Sequence, residues 1–153
     1  MRIVVDADAC PVKEEVYRVA RRYRLEVILV ANAWMRLPND RGFRLEQVKE
    51  GADAADDWIV AHLKTGDVVI TSDILLASRC LPVAWAVLSA TGAPFTDDSI
   101  GSAVATRALL AELRETGQML GGPAPFQPRD RSRFLQRLDQ AIQSGKRQFG
   151  EIS

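Results

Sequence analysis

The chain predicts a single α/β domain built on a mainly parallel central sheet of about five strands. Three observations carry that expectation. The runs Ile3-Val4-Val5, Val27-Ile28-Leu29-Val30 and Val68-Val69-Ile70 are short, rich in β-branched residues and free of polar alternation, as strands buried on both faces are. Between the first two lies a segment of helical period, so that strand, helix and strand follow within about 30 residues as a right-handed βαβ unit. The length of 153 residues, with 47% hydrophobic and 26% charged residues, suits one domain with a sizeable core.

Arg2–Asp6 reads as the first strand. Pro11 suits the first turn of a helix, where its missing N–H costs nothing. Val12, Val16, Val19 and Tyr23 then recur at helical spacing to about residue 24, with Arg18, Arg21, Arg22 and Arg24 off that stripe. Glu26–Ala31 is the second strand. Residues 32–42 carry Pro38, Asn39, Asp40 and Gly42, the chemistry of a loop, and Phe43–Val48 reads as a short third strand. A helix over 52–64 follows, stopped by Gly66, then a strand over 67–71, a brief helical turn over 74–78 and a fifth strand over 82–88. A long helix is expected from about Asp98 to Thr116, capped by Asp97 or Asp98 and stopped by Gly117. The Gly- and Pro-rich connector 118–127 leads to a last helix from Pro128 to about Ser144, with residues 145–153 frayed. Residues 1–117 thus form the α/β core, and 118–153 a connector and helix packed on the same domain.

The net charge is zero, so no global field draws the protein to nucleic acid. The charge is unevenly placed. Residues 41–75 hold seven acids against four bases, and residues 118–153 hold six bases against three acids. This suits a metal site beside a polyanion-binding surface, or simply solvated faces. Cys10 and Cys80 form no CxxC pair, which argues against a zinc site or a disulfide framework. The N-terminus enters a strand directly, without a basic-then-apolar leader, and no apolar run approaches the roughly 20 residues of a membrane helix. A cytoplasmic protein that does not enter membranes is the expectation.

The chemistry is concentrated in aspartates. Asp6 and Asp8 follow the first strand. Asp53, Asp56 and Asp57 open the helix that starts near 52, and Asp73 follows the strand 67–71. In an open parallel sheet ligands sit beyond the carboxyl ends of the strands. Carboxylates gathered there raise one another's pKa values, and a hard divalent cation, Mg2+ or Mn2+, holds such a cluster ionised. Each acid also has a plain structural alternative. Asp8 caps the helix near Pro11, the acids of the 53–57 segment answer the helix dipole, and Asp73 caps the turn after it. Jointly, acids at one end of one sheet favour a metal. Arg107, among apolar neighbours, either reaches a phosphate or snorkels to solvent. His62 reads as a surface residue and Cys10 as a packed thiol. Trp34, Met35 and Trp58 either stack on bases or pack at the core and its rim. Arg129, Arg133 and Arg137 recur at spacing four and form a basic stripe suited to a nucleic-acid backbone. Phe126 anchors the connector, and Phe134, Leu138 and Ile142 form the apolar face of the last helix.

The blocks DADACPVK at 6–13, LP at 37–38, GADAADDWI at 51–59, GDVVITSDILLA at 66–77 and GGPAPFQPRDR at 121–131 resemble the bacterial YaiI/YqxD family, a family of unknown function, over nearly the whole chain. One departure is Leu75, where the family is expected to favour proline. The family in turn is similar to PIN-like and NYN ribonuclease domains. That resemblance implies a PIN-like three-layer sandwich with an acidic metal site. It carries the first-strand aspartate onto Asp6, the helix-start acidic pair onto Asp56 and Asp57, and the aspartate after the buried strand onto Asp73; Asp8 and Asp53 are matched within the YaiI/YqxD family alone.

The leading expectation is a Mg2+- or Mn2+-dependent nuclease-like domain acting on RNA. Asp6, Asp57 and Asp73 are its catalytic residues, with Asp8, Asp53 and Asp56 completing the metal set. Arg107, Arg129, Arg133 and Arg137 would hold the RNA backbone. Two alternatives stand beside it: a haloacid-dehalogenase-like phosphatase using Asp6 as nucleophile and Asp8 as acid/base, and a non-catalytic module that holds a nucleotide, RNA or a partner.

Overall fold

The computed structural model of the protein describes residues 1–49, 51, 53–101 and 126–150. Among them, β1 (Arg2–Asp6), α1 (Lys13–Tyr23), β2 (Glu26–Ala31), β3 (Phe43–Gln47), α2 (Ala54–His62), β4 (Val68–Ile70), α3 (Ile74–Cys80), β5 (Ala86–Leu88) and α4 (Pro128–Phe149) follow in that order. The strands form one sheet in the order β3-β2-β1-β4-β5, with every pairing parallel. The chain therefore builds outward from β1 through β2 to β3, then returns to the other side of β1 for β4 and β5. The reversal falls between β1 and β4, the switch point where parallel sheets open a crevice at their carboxyl ends.

Strand parity divides the apolar residues into two layers. Ile3, Val5, Val27, Leu29, Val68, Ile70 and Leu88 meet Val12 at the cap of α1, Val16 and Val19 within it, and Phe134, Leu138 and Ile142 of α4. Val4, Ile28, Val30, Val69 and Val87 meet Ala55 and Ile59 of α2 and Leu76, Ala77 and Cys80 of α3. The result is a three-layer α/β sandwich, consistent with a PIN-like fold. Phe126 packs on the α1–α4 side with the Arg131 guanidinium 5.0 Å from its ring centroid.

Several boundaries differ from the sequence reading, each for a local reason. The Asp73 side chain accepts N–H bonds from Leu75 and Leu76, which extends the expected turn into the helix Ile74–Cys80. The turn that closes it takes up Pro82 and Val83, so β5 starts at Ala86 and not at 82. α4 continues past Ser144 to Phe149, because Phe149 meets Trp85 edge-on at 5.4 Å and Gly145 is buried against the Trp85 indole. α1 begins at Lys13 with Val12 at the cap position, so Pro11 precedes the helix. α2 stops at His62, where Leu63 turns extended, and Gly66 serves the following turn at φ +95°. At the helical segment that opens at 97, Thr96 and Ser99 exchange reciprocal backbone-to-hydroxyl bonds of 3.1 and 2.8 Å. Thr96 is thus the cap, while Asp97 and Asp98 lie exposed in the first turn. The remainder of that expected helix lies outside the described residues.

Two buried polar residues flank β4. Asp67 precedes it and Thr71 follows it, 2% and 3% exposed. At the amino end, Arg2 donates through Nε and Nη2 to the Asp67 carboxylate at 3.1 and 2.6 Å, and through Nη2 to the His62 carbonyl at 2.9 Å. The Lys64 N–H completes the Asp67 shell at 2.8 Å. Removing one partner of such a pair leaves the other charge desolvated and unpaired. Arg2→Met is therefore expected to cost about 3 kcal/mol or more of folding stability, read as a lower urea midpoint at unchanged slope; a loss within about 0.5 kcal/mol, the size of an ordinary surface substitution, would show that the pair is not needed.

Candidate carboxylate site

At the other end of β1, Asp6 is the last strand residue. Val4 faces the α2–α3 layer, and two residues on, Asp6 points the same way. The Thr71 hydroxyl donates to Asp6 Oδ2 at 2.8 Å, and the Asp73 N–H donates to Thr71 Oγ1 at 3.0 Å. A single hydroxyl thus joins the end of β1 to the loop after β4. Asp73 Oδ1 then caps α3, accepting from Leu75 N–H at 2.9 Å and Leu76 N–H at 3.2 Å. Leu75 supplies an N–H that a proline at this position would lack.

Asp56 enters from the first turn of α2. Its pKa is pushed up to about 6, first by burial and then by the charges of Asp73, Asp6 and Asp53, against a lowering influence from Arg79. Asp6 is also held above the ordinary carboxylate range, by burial first, with the Thr71 hydrogen bond opposing and the charges of Asp73 and Asp8 adding to the shift. Asp6, Asp56 and Asp73 are therefore one electrostatic cluster at the switch point.

The neighbouring Asp57 is placed differently. Consecutive helical residues point about 100° apart, and Asp57 projects to solvent, where Arg79 Nη1 donates to its Oδ1 at 3.0 Å. Asp53 takes the cap position of α2 without a side-chain capping bond; its carboxylate acts on Asp56 through space. Asp8 does not cap α1. Its Oδ2 accepts the Asn32 N–H at 2.9 Å, which fastens the loop after β1 to the loop after β2. Among the described residues, no three His, Cys, Asp or Glu side chains are gathered tightly enough to enclose a metal ion. The donors are nonetheless all hard oxygens, and Mg2+ commonly takes one or two carboxylates and completes its shell with waters, so the chemistry of the set fits such a cation.

The arginines divide as well. Arg129, Arg133 and Arg137 are exposed on α4, and a side chain grown on Gly92 would meet Arg137 Cγ and the Arg133 carbonyl at 3.0 and 3.1 Å. The stripe thus runs beside the loop after β5, at the carboxyl end of the sheet. Arg107 lies outside the described residues. Two contributors are not picked out by the sequence. Arg79 carries one signal at most, a cation one helix turn or two past a strand-end aspartate. Thr71 has none, because a hydroxyl beside a strand reads the same in any loop. Cys10 is the packed thiol expected, its pKa raised by burial. His62 is exposed and stacks on Trp58 at 4.0 Å.

The comparisons agree on kinship. The family described as "Uncharacterized BCR, YaiI/YqxD family" matches residues 4–144. The chain belongs to the YaiI/YqxD family. Its relatives include a UPF0178 protein of Paramagnetospirillum magneticum (strain ATCC 700264 / AMB-1), 53% identical over 146 residues, 95% of this chain and 97% of the relative. A UPF0178 protein of Rhodopseudomonas palustris (strain TIE-1) is 52% identical over 141 residues, 92% of this chain and 89% of the relative. A third, of Rhodospirillum rubrum, is 51% identical over 148 residues, 96% and 99% of the two chains. No solved structure matches this YaiI/YqxD chain. Among its described residues, no helix is long and apolar enough to cross a membrane.

The cluster has a consequence for stability. Asp56 binds its proton more tightly in the folded protein than in the unfolded chain. Folding is thus favoured most below the unfolded value near 4, and that contribution is lost as pH rises through about 6. In EDTA, Asp56→Asn is expected to melt above wild type at pH 7.5, with the difference closing as pH falls to about 4. Thermal denaturation by circular dichroism checks this; equal melting temperatures at pH 7.5 would contradict the repulsion.

Proposed function

We propose that the protein is a divalent-cation-dependent nuclease acting on RNA phosphodiesters, centred on Asp6, Asp56 and Asp73. The observation that carries this reading is that Thr71 joins Asp6 to the Asp73 segment at the switch point of a parallel sheet, with burial and neighbouring carboxylates holding Asp6 and Asp56 above the ordinary carboxylate range. Asp6 and Asp73 are the rigid members, one ending a buried strand and the other fixed by two helix N–H groups. Thr71 holds them in register and occupies one oxygen of Asp6. Asp56 is the member whose pKa burial and the neighbouring carboxylates push up to about 6. Asp53 and Asp8 add negative field at the rim. Asp57 orients Arg79, whose guanidinium flanks the cluster and suits a phosphate oxygen. Mg2+ or Mn2+, when bound, supplies a lowered pKa for a coordinated water and charge neutralisation at the scissile phosphate. RNA as the substrate is supported by the family's likeness to NYN domains and by the stripe Arg129, Arg133 and Arg137.

A phosphatase of the haloacid-dehalogenase kind is the second enzymatic reading. The bond from Thr71 to Asp6 Oδ2 weighs against it, since it occupies an oxygen of the required nucleophile.

A cation that binds only the folded state at 100 times its Kd adds about 2.7 kcal/mol, or about 5–10 °C for a domain of this size. Millimolar Mn2+ is expected to raise the melting temperature by that order and to support cleavage of labelled RNA. Asp6→Asn and Asp73→Asn are expected to remove both effects. Turnover of nitrophenyl phosphate with RNA left whole would favour the phosphatase; no binding of Mn2+ by calorimetry would end the metal-site reading.

Neutralising Arg129, Arg133 and Arg137 together is expected to weaken RNA binding at low salt. The dependence of log affinity on log salt should flatten by up to about 0.7 for each phosphate that an arginine no longer neutralises, with cation binding unchanged. The same affinity and slope in the triple variant would reduce the stripe to a solvated face.

A further inference from the structure

Trp34 is 72% exposed, the most exposed large hydrophobic side chain among the described residues. It stands in the loop after β2, at the carboxyl end of the sheet. The loop is fastened at its base. The Asn32 N–H donates to Asp8 Oδ2 at 2.9 Å, and Asn32 Nδ2 donates to the Lys49 carbonyl at 2.9 Å. Met35 and Leu37 then turn inward and pack on the α1–α4 core, while Trp34 and Arg36 turn outward and are exposed. This alternation is that of extended chain. It places an indole and a guanidinium on one side of an anchored segment, about 7 Å apart along the backbone. Trp34 is likewise only two residues from Asn32, whose N–H touches Asp8, and Asp8 acts on Asp6. Arg36 and Lys49 are exposed and form no salt bridge among the described residues.

An exposed aromatic face in a loop with an exposed arginine two residues along, and with an exposed lysine whose carbonyl ties the loop's base, has the chemistry to bind single-stranded nucleic acid: a π-face for the base and positive charge for the phosphate. Anchoring matters too. A loop held by Met35, Leu37 and the two hydrogen bonds of Asn32, one from its N–H and one from its side-chain amide, presents the indole with a reduced backbone-ordering cost at the moment of binding.

We propose that Trp34 is a stacking platform for an unpaired RNA base, with Arg36 and Lys49 holding the adjacent phosphates, so that the strand is led past Asp8 to Asp6. Trp34 here is a positioning residue. The inference rests on the reading of the carboxylate site as one that acts on RNA, and adds that the substrate is single-stranded.

The test measures binding in EDTA, where cleavage does not intervene. Labelled oligoadenylate is compared with an abasic ribose-phosphate strand of equal length by fluorescence anisotropy. Wild type is expected to prefer oligoadenylate by about tenfold or more, the weight of one to two stacked bases. Trp34→Ala should bring the two strands to equal affinity, and Trp34→Phe should retain most of the preference. Arg36→Gln should weaken both strands alike and lower the salt slope by about 0.7. An unchanged melting temperature in Trp34→Ala, expected for an exposed side chain, keeps folding out of the comparison. A Trp34→Ala variant that keeps the full preference overturns the proposal, as does a wild-type protein that binds neither strand. Stacking-dependent binding without cleavage in Mn2+ would uphold it while ending the nuclease reading. RNA cleavage with unchanged KM in Trp34→Ala would do the reverse.

Discussion

β1 and β4 are joined at both ends by polar pairs of equal sequence separation. Arg2 meets Asp67 at the amino end, and Asp6 meets Thr71 at the carboxyl end. Between them the pairing is Ile3, Val4 and Val5 against Val68, Val69 and Ile70. Such runs are apolar on both faces, so a slip of one residue exchanges one β-branched side chain for another at little hydrophobic cost. In sheets with one solvated face, alternation forbids the slip; here it does not. The two polar pairs do, because a slip would strand a desolvated charge at one end and an unsatisfied hydroxyl at the other. This is the registry role best attested for buried polar groups, and it sits at the strand pair where the sheet reverses its order.

The carboxyl-end pair has a second consequence. By accepting from the Asp73 N–H while donating to Asp6, Thr71 forces two carboxylate-bearing segments together. Asp56 is added by α2, which packs on the face of the sheet toward which Asp6 points. Burial and repulsion raise the pKa values of Asp6 and Asp56, opposed by the Thr71 hydrogen bond at Asp6 and by Arg79 at Asp56. Carboxylates perturbed by burial and by one another mark a candidate functional site, as structural ion-pair networks also can. The amino end shows the opposite arrangement, an acid fully matched by an arginine and a backbone N–H. Stability is secured at one end of the sheet and relinquished at the other.

α4 closes the domain. It lays Phe134, Leu138 and Ile142 against the face formed by β1, β2 and α1. It is tied to α1 by Asp139, which accepts from Arg22 and Tyr23, and by Arg131, which meets Glu15 at 3.0 Å. Its inward side is thus occupied by packing and its outward side is free to carry arginines past the loop after β5. The position of the helix follows from its apolar stripe; its charge pattern is what that packing leaves outside.

The strands, their parallel character and most helices were legible in the residues, because burial on both faces imposes unbroken apolar runs and burial on one helix face imposes a period near 3.6. The aspartates stood out in the sequence as a group, since each has a plain structural explanation alone but their gathering at strand ends and one helix start has none. What the sequence could not decide was which of them meet. Asp56 and Asp57 are chemically identical neighbours, and only the docking of α2 on the sheet turns one toward Asp6 and the other toward Arg79. Nor could it choose between Trp34 and Met35, both apolar in the same loop; the anchoring of the loop buries one and exposes the other. Local propensity and periodicity are properties of a segment, and a sequence carries them openly. The facing of two side chains depends on strand order, register and helix docking, which are set by contacts between residues as far apart as Asp6 and Thr71, and those exist only once the chain has folded.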